Sequence, residues 1–548
     1  MSKVFIVKEL VLIFSCFIIS DKVHCQQEKQ IDLSIYKDLP FKMDKVEQPS
    51  FKDYTVNIRD FGAKDDGLTS NTKAIAKAIA SVVSNGGGTV IIPEGLWLTG
   101  PIELKSNVRL YTEKGAVVLF TKDYNEYPMI NTSFEGQKSW RTMSPIYAKD
   151  ADHIAITGYG LFNGNGEAWR PVKKANVTDY MWKKFLFSGG VTNDAGTVWY
   201  PTEDALAGSK LSVPTARLSQ KESEAIRVFL RPVMVNLVNC KRILLQGVTF
   251  QNSPAWCLHP LMSEDITIDN VSVINEEWAM NGDALDLESC RNVLICNSTF
   301  NAGDDGICMK SGKDEEGRKR GIPTENVIVH NCKVYSGHGG FVVGSEMSGG
   351  VRNILVKHCS FVGTGSGLRF KSTRGRGGVV ENIYISDITM ANISGDAIVY
   401  DLYYMTREDV AKVPGVDETT PQFRNINMKN IVCKGADRAI LFQGLPEMTL
   451  KEITLENATI EAKAGIICKD AEHIQMKNVR ICSKESPVVT IKNSTDIVMD
   501  NFIYPETGNE IITISGDKTD KIRCVHSSIK PDRIKFSPEV KPGAFFVD

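Results

Sequence analysis

The 548-residue sequence predicts an all-β fold: a right-handed, single-stranded parallel β-helix with an N-terminal capping helix. Three observations predict it. A nine-residue strand pattern recurs along the chain, its sixth position is kept for residues that tolerate a positive φ, and no proline- or serine-rich linker marks off a second domain. Clear copies occupy 265–273, 292–300, 326–334 and 353–361; others start at His153, Arg242, Asn382, Asn425, Glu452, His473 and Asp496. Each alternates apolar and polar residues, the period of a strand with one buried face. The sixth position holds Asn270, Asn297, Asn331, Asn430, Asn457, Asn478 and Asn501, with Gly158, Gly247, Asp387 and His358 in the remaining copies. Asn, Asp and His are the non-glycine residues enriched in the left-handed region, so a sharp bend at each copy accounts for the choice. Stacked coils of this kind bury a continuous core. A propeller needs longer repeats of four strands, and a leucine-rich repeat needs its leucine spacing; neither is present.

The elements follow in order. Lys3 and Lys8 precede an apolar run from Val11 to Ile19, too short to span a bilayer. With a cut before Gln26 it reads as a secretory signal over residues 1–25, which predicts a secreted or periplasmic protein; Lys22, Val23, His24 and Cys25 match a lipoprotein box poorly. Residues 26–548 then form a single domain. A helix over 71–84, with Ile75, Ile79, Val82 and Val83 as its apolar stripe, is placed to cover the open end of the core. Strands at 89–92 and 107–111 begin the solenoid, and residues 164–231, which lack the repeat, form an insertion over one face. No later segment is transmembrane, and a net charge of −2 gives no general affinity for nucleic acid. Eleven of the thirteen cysteines follow Cys25, all from Cys240 onward. An odd number without a CxxC pair argues against a disulfide framework or a zinc site, so they are read as small core residues. No cofactor or metal is expected, and a solenoid of this length closes its core as a monomer.

Four stretches put charge where a regular coil has no use for it: Asn281-Gly282-Asp283, Gly303-Asp304-Asp305, Gly337-His338-Gly339 and Arg369-Phe370-Lys371. They stand at similar phases of successive repeats, and neighbouring coils lie ~4.8 Å apart. Asp283 is therefore expected to stack near Asp304 and Asp305, with His338 one coil on and Arg369 and Lys371 beyond it, the last two on one strand face. Three carboxylates in one cleft repel each other, so the cluster should retain a proton and offer both an acid and a base. That is what glycoside hydrolysis requires. The adjacent cations suit the carboxylate of an acidic sugar, which arginine can engage bidentately.

These four stretches, in this order, resemble the signature motifs NTD, DD, GHG and RIK of the polygalacturonases of glycoside hydrolase family 28. The runs 303–312, 344–350 and 367–371 are similar as well, and the likeness extends from about Asp60 to about Met390. The resemblance implies that Asp304 is the general acid, that Asp283 and Asp305 activate water, that His338 supports the proton network, and that Arg369 and Lys371 hold the substrate. It implies an inverting hydrolase acting on pectic polysaccharide, with the exo-acting members the nearest in pattern. Gly282, Ala284 and Phe370 depart from the usual Thr, Gly and Ile, which puts the fit of the flanking sugar in question. A single-coil separation near ~5 Å would by itself favour a retaining enzyme, in tension with the family's inversion. Arg374 and Arg376 are candidates for further pectin contacts. Arg318-Lys319-Arg320 is read as a solvated loop, Glu346 as structural, and Trp169, Trp182, Trp199 and Trp256 as either packing or sugar-stacking residues. Endo-cleavage and attack on a rhamnogalacturonan backbone are the alternatives within the hydrolases. A calcium-dependent lyase and a non-catalytic carbohydrate-binding solenoid are those outside them.

Overall fold

In the computed structural model, residues 33–406, 413–505 and 510–547 are described. The expected leader over 1–25 lies outside the described residues. The chain divides into a short N-terminal piece, Met1–Asp38, in which Leu33–Tyr36 is a 3-10 helix, and a body, Leu39–Asp548, to which everything below refers.

Alternation builds the body. Along Arg291–Cys296, Val293 and Ile295 turn into the core, and one coil on Val327 and Val329 do the same. The strands pair in register, Val293 opposite Val327 and Ile295 opposite Val329, so identical faces stack. Each coil in the middle of the body has three strands, for example Asp305–Lys310, Thr324–His330 and Lys333–Tyr335. Among the described residues 36 strands join in one parallel set, the arrangement of a parallel β-helix, whose crossovers are right-handed by rule. Each coil buries several Val, Ile, Leu or Phe side chains, each contributing ~1.5–3 kcal/mol against conformational entropy.

The bends lie where the sequence puts them. Asn270, Asn297, Asn331, His358, Asp387, Asn430, Asn457, Asn478 and Asn501 have φ between 52° and 58°. Their amides ladder from coil to coil: Asn457 Nδ2 donates to Asn430 Oδ1 at 3.2 Å, Asn478 Nδ2 to Asn457 Oδ1 at 3.0 Å, and Asn501 Nδ2 to Asn478 Oδ1 at 2.9 Å. A second bend was not expected. The first position of the pattern is also left-handed, from His153 and Arg242 through Asn292 and Asn326 to Glu452 and Asp496. It has an asparagine ladder of its own, Asn425 to Asn382 to Asn353 to Asn326.

The capping helix α1, Thr72–Ser84, covers the end of the core with Ala74, Ile75, Ala78, Ile79 and Val82. Val83, assigned to the same stripe by sequence, is 43% exposed, because a 3.6-residue period carries it past the buried face. The 164–231 segment is an excursion with its own small antiparallel sheet (Val172–Lys173, Val191–Thr192, Val198–Tyr200), the helix α2 (Asp179–Phe187) and two shorter helices. A hairpin, Met129–Phe134 with Gln137–Thr142, also leaves the solenoid. Arg318, Lys319 and Arg320 belong to a helix, Asp314–Arg320, rather than a solvated loop: Arg318 is tied to the Gly375 carbonyl at 2.6 Å and Arg320 to Glu288 at 2.6 Å. Among the described residues all eleven cysteines are free thiols, and only Cys482 is exposed.

Candidate active site

Four successive rungs of one face carry the charged stretches: β1 (Leu285–Glu288), β2 (Asp305–Lys310), β3 (Gly339–Val343) and β4 (Ser366–Lys371). The register runs Asp286, Cys308, Val342, Arg369 across them. Since Leu285, Leu287, Ile307, Met309, Phe341, Leu368 and Phe370 point into the core, that column points outward. Asp283 precedes β1, Asp304 precedes β2 and Asp305 opens it, and His338 precedes β3. Main-chain bonds set the phase: Ala284 N donates to Asp305 O at 3.0 Å, and His338 N to Asp304 O at 2.6 Å. Gly337, at φ 97°, is required there, because a Cβ would lie 2.5 Å from the Asp304 carbonyl. Gly339 leaves room for Arg369, whose Cβ and Cδ would stand 3.3 Å from any added side chain.

All six residues singled out by sequence come together. Asp283, Asp304 and Asp305 each offer a carboxylate oxygen, and these oxygens lie within 4.8 Å of one another. His338 Nδ1 is 2.9 Å from Asp304 Oδ1. Asp305 is 1% exposed and takes Lys371 Nζ at 2.7 Å on one oxygen and Arg369 Nη1 at 3.2 Å on the other. Both cations also lie over the ring of Tyr404.

The electrostatics divide the carboxyls. Burial alone would raise Asp305, but the charges of Lys371, Arg369 and Lys310 outweigh it and hold the group well below the usual carboxylate range. Asp283 is raised well above that range by burial first, then by Asp286 and Asp304. The hydrogen bond that the His338 ring donates to Asp304 raises it above the ordinary imidazole value. The cleft thus holds an ionised carboxylate and a proton-retaining carboxyl side by side, with a histidine on the third, which is the equipment for general acid–base chemistry. A trio of carboxylates is also a donor set for a divalent cation. Here Lys371 and Arg369 already supply the counter-charge to one of the three.

The departures noted in the sequence have local reasons. A Cβ on Gly282 would lie 2.8 Å from both the Cβ and the carbonyl oxygen of Ala279, so threonine would not fit this turn. Phe370 points away from the cleft and stacks on Tyr400 with centroids 4.3 Å apart. Neither change alters the charged groups.

The structure adds charged residues to the cleft that the sequence reading did not place there. Lys310 Nζ lies 3.0 Å from Glu346 Oε2 and 3.5 Å from Asp286 Oδ1, over the face of Trp256. Glu346, expected to be structural, is held at a pKa of about 2: burial would raise it, but Lys310 and Lys371 dominate. Asp286 is fully buried, neither of its oxygens has a hydrogen-bond partner, and burial and the neighbouring carboxyls raise it well above the usual range. Arg374 pairs with Glu447, and Arg376 with Asp314 and the Ser345 carbonyl, so neither is a ready pectin contact. The four tryptophans named above are all buried as packing residues, with Trp256 the one that borders the cleft.

One end of the face is roofed. The outward-pointing Asn236, His259, Asp286 and Glu288 are at most 1% exposed. His259 Nε2 lies 3.0 Å from Glu288 Oε2, and Glu288 also pairs with Arg320. Over them the hairpin meets the Asp314–Arg320 helix, with Lys138 N donating to Glu316 Oε1 at 3.0 Å, and sets Phe134 against Trp256 at 4.6 Å. Arg141 lies 4.0 Å over the Phe134 ring and donates to the Arg231 carbonyl, and Arg231 in turn donates to Asn281 Oδ1 at 2.8 Å. Toward β4 the face opens, and the Arg369 side chain is 21% exposed.

Comparison with known proteins places these residues in context. Residues 221–482, which include every residue of the cluster, match the family described as glycosyl hydrolases family 28. Residues 55–169 match the one described as rhamnogalacturonase A/epimerase, pectate lyase-like. An exo-poly-alpha-D-galacturonosidase of Dickeya chrysanthemi is 28% identical over 406 residues, 71% of this chain and 64% of that one. A polygalacturonase of Ralstonia solanacearum is 25% identical over 447 residues, 72% of this chain and 74% of its own. The crystal structure of a hyperthermoactive exopolygalacturonase from Thermotoga maritima is similar with a TM-score of 0.67 and 33% identity, over 80% of this chain and 94% of that one.

Proposed function

Because the chain belongs to glycosyl hydrolase family 28 and is a glycoside hydrolase, we propose that it cleaves α-1,4-galacturonosidic linkages of pectic polysaccharide from the chain end. The observation that carries the reading is the trio Asp283, Asp304 and Asp305 within 4.8 Å of one another, with Lys371 and Arg369 beside them. In the proposed reaction Asp304 gives its proton to the leaving glycosidic oxygen as the bond to the anomeric carbon breaks. Water held by Asp283 and Asp305 adds to that carbon from the opposite side and surrenders its proton to the pair. His338 holds the proton count of Asp304 through the 2.9 Å contact. Arg369 and Lys371 meet the uronate carboxylate.

Exo action is supported by the roofed end. The hairpin, Trp256 and the Asp314–Arg320 helix cover the face beyond β1, and Arg141 and Arg231 add positive charge at that covered end, where a terminal acidic sugar would stop. Burial and the neighbouring Arg231 bring Arg141 down to about 9, still protonated at neutral pH. Pectin lies outside cells, and the basic residues and apolar run before Gln26 support export to it. Among the described residues no helix is long and apolar enough to cross a membrane.

The test is digestion of polygalacturonate with EDTA present, wild type against Asp304→Asn, followed by chromatography and ultraviolet absorbance. Galacturonic acid or its shortest oligomers from the first minutes, without absorbance and lost in the variant, is the expected result. A ladder of mid-length oligomers would make the enzyme endo-acting. Inactivity on this substrate but not on rhamnogalacturonan would change the backbone. An unsaturated, EDTA-sensitive product would overturn hydrolysis.

A further inference from the structure

We propose that the 164–231 excursion carries a second carbohydrate site, a pocket for a neutral sugar on the side chains of a branched pectin. The proposal rests on the pectin reading for its polymer and on the pocket's own chemistry for its ligand. The cavity measures about 620 Å³, in the range of small-molecule sites, and its walls include Tyr180, Phe185, Trp199, Trp278, Glu167 and Glu276.

The pocket is assembled from two sources. Helix α2 is capped by Thr178, whose hydroxyl accepts from Met181 N, and is pinned by Trp182 against Val172 and Trp199. That orientation leaves Tyr180 78% exposed at the mouth and packs Phe185 between Trp199, tilted at 5.1 Å, and Trp278, edge-on at 5.4 Å. A large tyrosine ring left in solvent gains nothing for the fold, but it is a flat apolar face on which the C–H face of a sugar can lie. Glu276 and Trp278 come from the other source, the segment that ends at Asp283.

The floor is fixed from beneath. Arg170 is fully buried, and its Nη2 is shared by Glu276 Oε2 and Asn252 Oδ1, each at 2.7 Å. Its guanidinium lies 5.1 Å from the Trp278 centroid, and its Nε and Nη1 have no hydrogen-bond partner. Asn252 Nδ2 in turn donates to Glu167 Oε2 at 2.5 Å. One oxygen of each carboxylate is thereby anchored, while the side chains reach the cavity, Glu276 with 39% of its surface exposed. Holding a long acidic side chain in one rotamer costs entropy, and burying an arginine with two unmet donors costs more. An arrangement that accepts both costs fixes two acceptors under a set of aromatic faces.

The ligand class follows from the charges. Carboxylates accept from sugar hydroxyls but repel a uronate, whereas the cleft beside β4 has the opposite equipment in Arg369 and Lys371. Arg170 offsets one of these charges from beneath, but it is fully buried and cannot meet a ligand, and Lys122 and Lys184 border the pocket only as exposed ammonium groups on flexible stems screened by water and salt, so no fixed cation faces a uronate. The two sites are joined by one stretch of chain. From Glu276 and Trp278 it passes Ala279, which packs under Gly282 and Gly303, then Asn281, held by Arg231, and then Asp283. A galacturonan backbone in the cleft and a neutral branch sugar across that stretch can be engaged together, each raising the effective concentration of the other.

The experiment has two arms. Saturation-transfer NMR with D-galactose, L-arabinose and D-galacturonate as probes, on wild type and Tyr180→Ala, reads binding without cleavage. Transfer to a neutral sugar that disappears in Tyr180→Ala supports the site. No transfer to either neutral sugar, or Tyr180-dependent transfer to galacturonate alone, overturns it. The second arm compares kcat/KM on linear trigalacturonate and on pectin before and after enzymatic removal of its neutral side chains. Tyr180→Ala should leave the linear substrate unchanged and lower the branched one about tenfold, a loss that vanishes after debranching. Equal loss on all three substrates would overturn the proposal, and Trp278→Leu should repeat the pattern if the pocket is the cause. If wild type cleaves no galacturonan, the pectin reading falls while the NMR arm still decides the pocket.

Discussion

Replacing Lys371 by methionine tests the electrostatic core of the site. Asp305 is 1% exposed, and its two oxygens are met by Lys371 at 2.7 Å and Arg369 at 3.2 Å. Unit charges ~4 Å apart interact by about 4 kcal/mol at an effective dielectric of ~20. Removing one partner of a buried pair typically costs ~3–5 kcal/mol, and because Arg369 remains, the lower end, about 3 kcal/mol, is expected. Methionine keeps the length and apolar stem of the side chain, so packing changes little. The sign with pH follows from linkage. In wild type the folded carboxyl lies below its unfolded value of ~3.9, so its stabilisation is present above about pH 4 and is lost as pH falls through the folded pKa. In Lys371→Met, burial acts with one cation fewer against it, and the carboxyl rises by about 2 pH units, the equivalent of the same 3 kcal/mol. Guanidinium unfolding of both proteins at about pH 7, 4 and 2 should therefore give a stability gap that is full at pH 7, still nearly full at pH 4, and narrower at pH 2, where the raised carboxyl of the variant takes up its proton first. The acid limb of the activity profile, measured at substrate concentrations well below KM, should move up over the same interval. A gap that stays constant with pH would refute the reasoning and assign the effect of Lys371 to packing.

Two further outcomes follow from the same structure. The imidazole of His338 should titrate above ~6.5 in wild type by NMR, its positive charge present below that raised midpoint and lost as pH rises through it. In Asp304→Asn the midpoint should fall toward the ordinary value, and an unchanged midpoint would separate His338 from Asp304. Asn457, at φ 56° between Asn430 and Asn478, should lose stability on conversion to either alanine or glycine, because both variants forfeit its ladder hydrogen bonds. Glycine should retain about 1 kcal/mol more than alanine, since only alanine carries a Cβ into the left-handed region. Equal stability of the two variants in urea unfolding would contradict the account.

The solenoid was legible because its two rules act locally. A strand period of two and a left-handed bend each leave a mark in nine residues, and asparagine at 297, 331, 457 or 478 announces the bend by its own conformational preference. The first bend of each copy was hidden where Arg242 or Glu452 occupies it, since neither residue signals a positive φ. The cluster was legible for a related reason: parallel register converts equal phase in sequence into stacking in space, so Asp283, Asp305 and Arg369 could be set on neighbouring rungs without coordinates. Lys310 and Asp286 were not. Along the chain each is one more charge in a strand, and only the outward column shows them sharing a buried pocket with Glu346. The roof was the least accessible. The hairpin at 129–142 alternates like any other strand pair, and its contact with Glu316 joins segments about 180 residues apart. The charge run at 318–320 reads as a solvated stretch until Glu288, itself without access to water, is found beneath it.

The spacing of the carboxylates leaves the stereochemistry to be argued. One oxygen from each carboxyl lies within 4.8 Å of the others, a spacing nearer the ~5–5.5 Å of a retaining pair than the ~6.5–9.5 Å of an inverting one. That rule counts two carboxyls, one acid and one nucleophile, and this cleft has three. Asp305 is the ionised group, but both of its oxygens are engaged by Lys371 and Arg369, which leaves it poorly free to bond to an anomeric carbon. Asp283 retains a proton in the unliganded cleft through burial and the charges of Asp286 and Asp304, so it becomes a base only once that proton has moved. On the proposed roles, that proton is the one Asp304 needs. Titration in so close a cluster belongs to the group as a whole, and a single bridging water can carry the proton across the gap while His338 steadies Asp304. Asp283 is then ionised beside Asp305, and on the proposed roles the pair holds the attacking water between itself and the sugar. Hydrolysis of an α-linked galacturonide should consequently release the β anomer first, visible by proton NMR within minutes and before mutarotation. Initial release of the α anomer, or a covalent glycosyl adduct on Asp283 or Asp305 in a rapid-quench digest, would mean that the third carboxylate holds no water and that the spacing rule governs after all.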